Sequence, residues 1–256
     1  MSSVSKLIEK ESQRNRFSDY LPYLAFDQET AEFINSDSTF GYLFECTPGY
    51  FVDEKTTEML SSIIKQDYGK GAILQFILFA DTDIRDYCKN VVDGDVRQTP
   101  LLKKISKYHS DFLQDPSCYA EKIKGNQLKN YRLFVCLKTT KSLSKMALSS
   151  FYEGLLGASL SPSKVDVSEL LNLLRKILNS NNHNKGAHYD PSKDIASQAI
   201  FADTKIDLSH ESYIKINDEY IATISPKEFP DASNNQTLSS LQVNELTGSF
   251  KGEFMI

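Results

Sequence analysis

The hydrophobic period of this chain changes twice between Phe40 and Phe79, and that change confines it to folds that mix sheet and helix. Phe40-Gly41-Tyr42-Leu43-Phe44 follows Phe33-Ile34 and a polar Asn-Ser-Asp-Ser turn, so residues 31–47 are predicted to form a hairpin. From Asp53 the apolar positions Met59, Leu60, Ile63 and Ile64 recur at helical spacing, with Asp53 as the cap. Tyr68-Gly69-Lys70-Gly71 ends that helix. The run Ala72 to Phe79 then reads as a buried strand, short, apolar and closed by Asp81. Strand, helix and strand in about 40 residues make a βαβ unit, for which a right-handed crossover is expected.

Other segments extend the pattern. Tyr20 to Phe26 is predicted to be extended, because Pro22 biases Leu21 away from helix. Residues 83–129 are mostly helical, with one apolar stripe of Leu101, Leu102, Ile105, Tyr108, Phe112 and Leu113 and breaks at Pro116 and Gly125. A third core strand is predicted over Tyr131 to Leu137, a helix over 143–157, and a leucine-rich helix capped by Asp166 or Ser168. After a polar loop, Tyr213 to Ile216 and Tyr220 to Ile224 alternate at period two around Asn217-Asp218-Glu219, a hairpin signal. The fold class is therefore α/β (mixed α+β), with a βαβ core of three apolar strands, covering helices and a C-terminal β-hairpin. Residues 1–16 are expected to be a flexible arm, 17–229 the α/β domain, and 230–256 a polar linker or the truncated start of a further element.

Composition narrows the function classes. With 40% hydrophobic residues among 256 the chain has enough apolar surface for a core, and a net charge of −5 argues against coating nucleic acid. Lys103, Lys104 and Lys107, and Lys122, Lys124 and Lys129, sit among acids at helical spacing and read as solvated faces. Cys46, Cys88, Cys118 and Cys136 form no CxxC pair, and reduced thiols are expected. The N-terminus lacks a signal-like apolar stretch, and the longest apolar run is far short of the roughly 20 residues of a membrane helix. A cytoplasmic, soluble chain is the expectation.

The search for chemistry gives near misses. Around Gly69-Lys70 a Walker A loop would need glycine at Ile64 and a hydroxyl at Gly71, so that backbone amides could cradle phosphate. Gly157-Ala158-Ser159-Leu160-Ser161 departs from GxSxG at its last position and follows a helix rather than a strand. His183, His188 and Asp190 carry metal-ligand chemistry in a loop with few anchors. Asp81, Asp83 and Asp86 follow a core strand, where α/β active sites gather, but one of them is better placed to cap the next helix. His109 and His210 have no recognisable partner in the sequence. No catalytic residue, cofactor site or metal site is assigned. Tyr20, Tyr23 and Tyr50 are the candidate partner contacts, because aromatics carry binding energy disproportionately.

Taken in order, Tyr20-Leu21-Pro22-Tyr23 with Phe26-Asp27, Gly41 to Glu45 with Pro48, Gly71 to Phe76, Ala80 to Ile84, Tyr131 to Phe134 and the leucine-rich helix at 168–178 resemble the TraC family. These are the motor ATPases of F-type conjugative type IV secretion systems. The resemblance covers about residues 17–229 and is poor near 90–128. It implies the region N-terminal to a RecA-like motor, one that packs against the inner-membrane part of the secretion channel and helps assemble the hexamer. ATP and Mg²⁺ would belong to that motor, expected to begin near where these residues end. The implied function is a non-catalytic docking and assembly module for conjugation, pilus assembly and DNA or protein transfer. The implied location is cytoplasmic, peripheral to the bacterial inner membrane. Partners would be protein components of the channel, the chain's own motor domain and further copies in a homo-oligomer, with no direct nucleic-acid contact. Two alternatives stay open: a standalone regulatory paralogue without a motor, and a small enzyme using the strand-end aspartates.

Overall fold

A computed structural model describes residues 17–47, 53–81, 83–93, 99–115, 128–179, 188–201, 204–223 and 254–255. A 3-10 turn at Phe17–Tyr20 leads into β1 (Tyr23–Asp27), β2 (Glu32–Asn35) and β3 (Phe40–Cys46), followed by α1 (Glu54–Lys65) and β4 (Ile73–Asp81). Next come α2 (Arg85–Asp93), α3 (Pro100–Gln114), β5 (Asn130–Thr139), α4 (Lys145–Gly157), β6 (Ser163–Lys164) and α5 (Val167–Leu178). The remainder is α6 (Ile195–Ala199), β7 (Ile206–Asp207), β8 (Ile214–Ile216), β9 (Glu219–Ile221) and β10 (Phe254–Met255).

This is the mixed α+β architecture expected from the sequence. The main sheet has the order β1-β2-β3-β5-β4-β10, with β6 added on β3, and β7-β8-β9 form a separate three-stranded sheet. The β3-α1-β4 crossover is therefore a split one, since β5 lies between the two strands it connects.

The chain divides into two compact units, at boundaries that fall inside β3, β4 and β5. The first comprises Met1–Glu45, Gly49–Gln75 and Val135–Pro226. Its β1, β2 and β3 form an antiparallel meander, with Phe26 opposite Phe33 and Phe33 opposite Gly41. The turn between β2 and β3 is closed by Asp37, whose carboxylate accepts from the Thr39 amide and pairs with Lys138 Nζ at 2.7 Å. Four helices of this unit start where an oxygen side chain accepts an otherwise unpaired amide: Asp53 from Thr56, Ser144 from Ala147, Asp166 from Glu169 and Asp194 from Ser197.

The core of this unit gathers the apolar faces those caps align. Phe44, Ile63, Phe151, Leu155 and Leu171 are each at most 2% exposed. The Phe151 ring lies 5.5 Å from that of Phe44 and edge-on to Tyr68 at 5.7 Å. Burying a side chain of this size is worth about 1.5–3 kcal/mol, so these five supply a large share of the drive to fold. A buried polar network lies at one side. Tyr42 donates to the Glu32 carboxylate at 2.8 Å and accepts from the Leu143 amide at 2.7 Å, while Ser142 donates to the same carboxylate.

The second unit comprises Cys46–Pro48, Phe76–Phe134 and Lys227–Ile256. Among its described residues Cys46, Phe79, Ala80, Cys88 and Phe134 form the buried apolar set, and β10 pairs antiparallel with β4. In α3, Thr99 caps the first turn and Pro100 starts it, a position where a missing amide costs nothing. Cys46 and Cys88 are buried free thiols and Cys136 is a half-buried one, while Cys118 lies outside the described residues.

Candidate interaction surfaces

The sites weighed in the sequence resolve into local structure. Gly69 and Gly71 both adopt positive φ (93° and 82°) in the turn between α1 and β4. Their neighbour Lys70 accepts a hydrogen bond at its carbonyl from Thr140. Gly157 to Ser161 is the end of α4: the Ser159 and Leu160 amides fold back onto the Leu156 and Leu155 carbonyls, and Ser159 has φ 61°.

Asp81 is 5% exposed and accepts from the Asp83 amide at 2.6 Å. Asp83 in turn accepts from the Arg85 amide and guanidinium just ahead of α2, a local turn contact. The Asp86 side chain lies outside the described residues, as does His183. His188 and His109 are exposed, and no group of three His, Cys, Asp or Glu able to hold a metal ion occurs among the described residues.

The candidate tyrosines differ from one another. Tyr20 closes the 3-10 turn and is 67% exposed. Tyr23 is half-buried in β1, and its phenol is pushed up first by burial and then by the Cys136 thiol. Tyr50 lies outside the described residues.

Two larger exposed surfaces lie elsewhere on the chain. One is α3, whose apolar stripe divides: Leu102 and Leu113 are half-buried, while Leu101, Ile105, Tyr108 and Phe112 are 68%, 53%, 64% and 41% exposed. The buried side of this helix carries Ser106 and Ser110. Lys103, Lys104 and Lys107 are solvated as expected, and Lys104 Nζ sits 5.8 Å from the Tyr108 ring centre. The signal that could have revealed this orientation was the serine pair four residues apart, the only small residues of the helix.

The other surface is the small sheet. Lys215 stands opposite both Asp207 and Tyr220, and its ammonium lies 5.6 Å from the Tyr220 ring centre. Tyr213 stacks on His210 at 4.3 Å and meets Tyr220 edge-on at 5.1 Å. Tyr220 and Leu208 are more than 60% exposed.

Fold and surfaces together define a mixed α+β protein with antiparallel pairing and exposed apolar and aromatic faces. The family model described as TraC protein matches residues 17–255, and the chain belongs to that family. Its role therefore lies in type IV secretion and conjugation. The match runs past residue 229 to include Phe254 and Met255 of β10. Neither the curated proteins nor the solved structures contain a match.

Proposed function

We propose that this chain is a non-catalytic docking and assembly module of a type IV secretion motor ATPase. ATP hydrolysis comes from a motor domain that lies outside these 256 residues. The observation that carries the reading is the family match over 17–255 in a sequence without GxxxxGK[ST]. The exposed apolar side chains of α3 and of the small sheet support it, because contiguous exposed apolar groups mark interaction sites. The partners are protein components of the secretion channel and the chain's own motor domain. Among the described residues no helix is long and apolar enough to cross a membrane.

Competition tests this directly. Overproducing the chain in a donor cell that carries the intact conjugation machinery is expected to lower transfer at least about tenfold, as the module occupies the motor's docking sites by mass action. Purified chain is expected to show no ATP turnover. Unchanged transfer at high expression, or hydrolysis by the purified chain, overturns the reading.

A further inference from the structure

We propose that the outer edge of β4 is a strand-acceptor site. It binds an extended, uncharged segment of a partner protein, which adds antiparallel to the sheet and takes the place of β10. This deepens the docking reading by stating the chemistry of one partner segment. It rests on that reading only for its cellular setting.

β4 is nine residues long and has β5 on its inner side. On its outer side β10 pairs with Phe79 and Ala80 and with no other described residue of β4. Among the described residues, no strand lies along the outer side from Ile73 to Ile77. Every second residue of such an edge turns an N–H and a C=O outward, and an added strand satisfies both.

The side chains leave this edge open to pairing. Sheet edges that must stay unpaired are normally blunted by a charge, a proline or a bulge. Ile73-Leu74-Gln75-Phe76-Ile77 is extended throughout and carries neither a charge nor a proline. Ile73 is 49% exposed and Phe76 39% exposed, so the stretch is both apolar and accessible.

β10 shows what kind of occupant fits. It is a strand, it enters antiparallel, and it brings two large apolar side chains, Phe254 and Met255. Two residues make a weak strand, since five or six are usual. A segment paired from Ile73 through Ala80 satisfies several times as much of the same edge, and so displaces β10. Ile73 and Phe76 stand on opposite faces of β4, as residues an odd number apart do in a strand. The incoming segment is therefore apolar or β-branched on both of its faces, and carries no charge opposite this stretch.

The probe that tests this is a dye-labelled synthetic peptide, Phe-Met followed by three Thr-Val repeats, titrated with the whole chain and read by fluorescence anisotropy. A dissociation constant of about 1–100 μM is expected. Two further peptides carry N-methyl groups on one or the other set of alternate residues. The one whose methyls face β4 is expected to bind at least about tenfold more weakly, and the other to bind like the parent. Ile73→Lys and Phe76→Lys, both at exposed positions, are each expected to weaken binding at least about tenfold with the circular dichroism unchanged. Met255→Gly, which loosens β10, is expected to tighten binding at least about threefold, because less is left to displace. Amide hydrogen exchange over Ile73 to Ile77 is expected to be fast in the chain alone and slowed by the peptide.

No binding of the parent peptide up to about 1 mM overturns the proposal. Equal binding of the two methylated peptides, indifference to both lysine substitutions, or weaker binding to Met255→Gly does the same. Slow exchange of these amides in the dilute chain alone means that the edge is already filled from within, and slowing that appears only as the chain is concentrated marks a second copy as the occupant; either result overturns the proposal. Transfer competition is scored separately, so either idea can fail alone.

Discussion

Asn179 shows how much one polar side chain can organise. It is 2% exposed at the end of α5 and makes four hydrogen bonds. Its amide donates to the Arg175 and Ala199 carbonyls, and its oxygen accepts from the Phe201 amide and the Thr204 hydroxyl, each within 3.1 Å. Arg175 reinforces the junction by donating to the Gln198 carbonyl and lying over the Phe201 ring. Asn179→Ala leaves buried donors and acceptors without partners, and is expected to cost about 2–4 kcal/mol. That loss would lower the thermal midpoint by about 5–10 °C, read by circular dichroism. The asparagine-rich run that begins here reads in sequence as a uniform polar loop. Nothing in composition separates Asn179 from its neighbours, because its importance lies in what α6 brings to it.

At the scale of elements, helix starts were legible, since a cap is a local contact: Asp53 and Asp166 do what their position in the sequence predicts. Helix faces were less so. Periodicity reveals that α3 has an apolar side, but which way that side turns depends on what packs beneath it. Close packing between helices was also hidden. Gly154 of α4 comes so near α1 that an added Cβ would lie 2.8 Å from Ile63 Cγ1, and at Gly157 it would lie 2.6 Å from Met59 Cε. Ile63 is 2% exposed and has no room to withdraw, whereas Met59 offers the flexible end of a half-buried side chain. Alanine inside a helix ordinarily gains up to about 1 kcal/mol over glycine. Here Gly154→Ala is expected to lose about 1–3 kcal/mol through overpacking, and Gly157→Ala to stay within about 0.5 kcal/mol of the wild type. Urea unfolding of the two variants checks the difference.

For the whole molecule, the titrating groups define a stability plateau. Asp37 is held down to about 2, chiefly by its hydrogen bond from Lys138. Asp27, Asp53, Asp190 and Asp207 are lowered by hydrogen bonds from residues two or three positions ahead. Depressed carboxylates stabilise the fold above their unfolded value of 3.8, and that contribution fades as pH falls toward 2. Burial pushes Cys136 from 9.0 up to about 11 and Tyr68 from 10.0 up to about 12. Raised groups contribute below their unfolded values and cease to as pH climbs through the folded ones. The urea midpoint is expected to be flat from about pH 5 to 8, to fall on both sides, and to lose part of its acid limb in Asp37→Asn. The three apolar strands were readable as strands. Their order was not, because the insertion of β5 between β3 and β4 is decided by edges that meet only in the folded chain. Least readable was β10, where Phe254 and Met255 sit at the end of a polar stretch yet pair with Ala80 and Phe79 on β4. That pairing joins positions about two-thirds of the chain length apart, so it imposes a timetable on synthesis. A ribosome adding about 5–20 residues per second exposes the edge of β4 for on the order of ten seconds before its partner exists. During that interval the nascent strand offers open backbone groups to any other strand in reach, and the sheet is completed last.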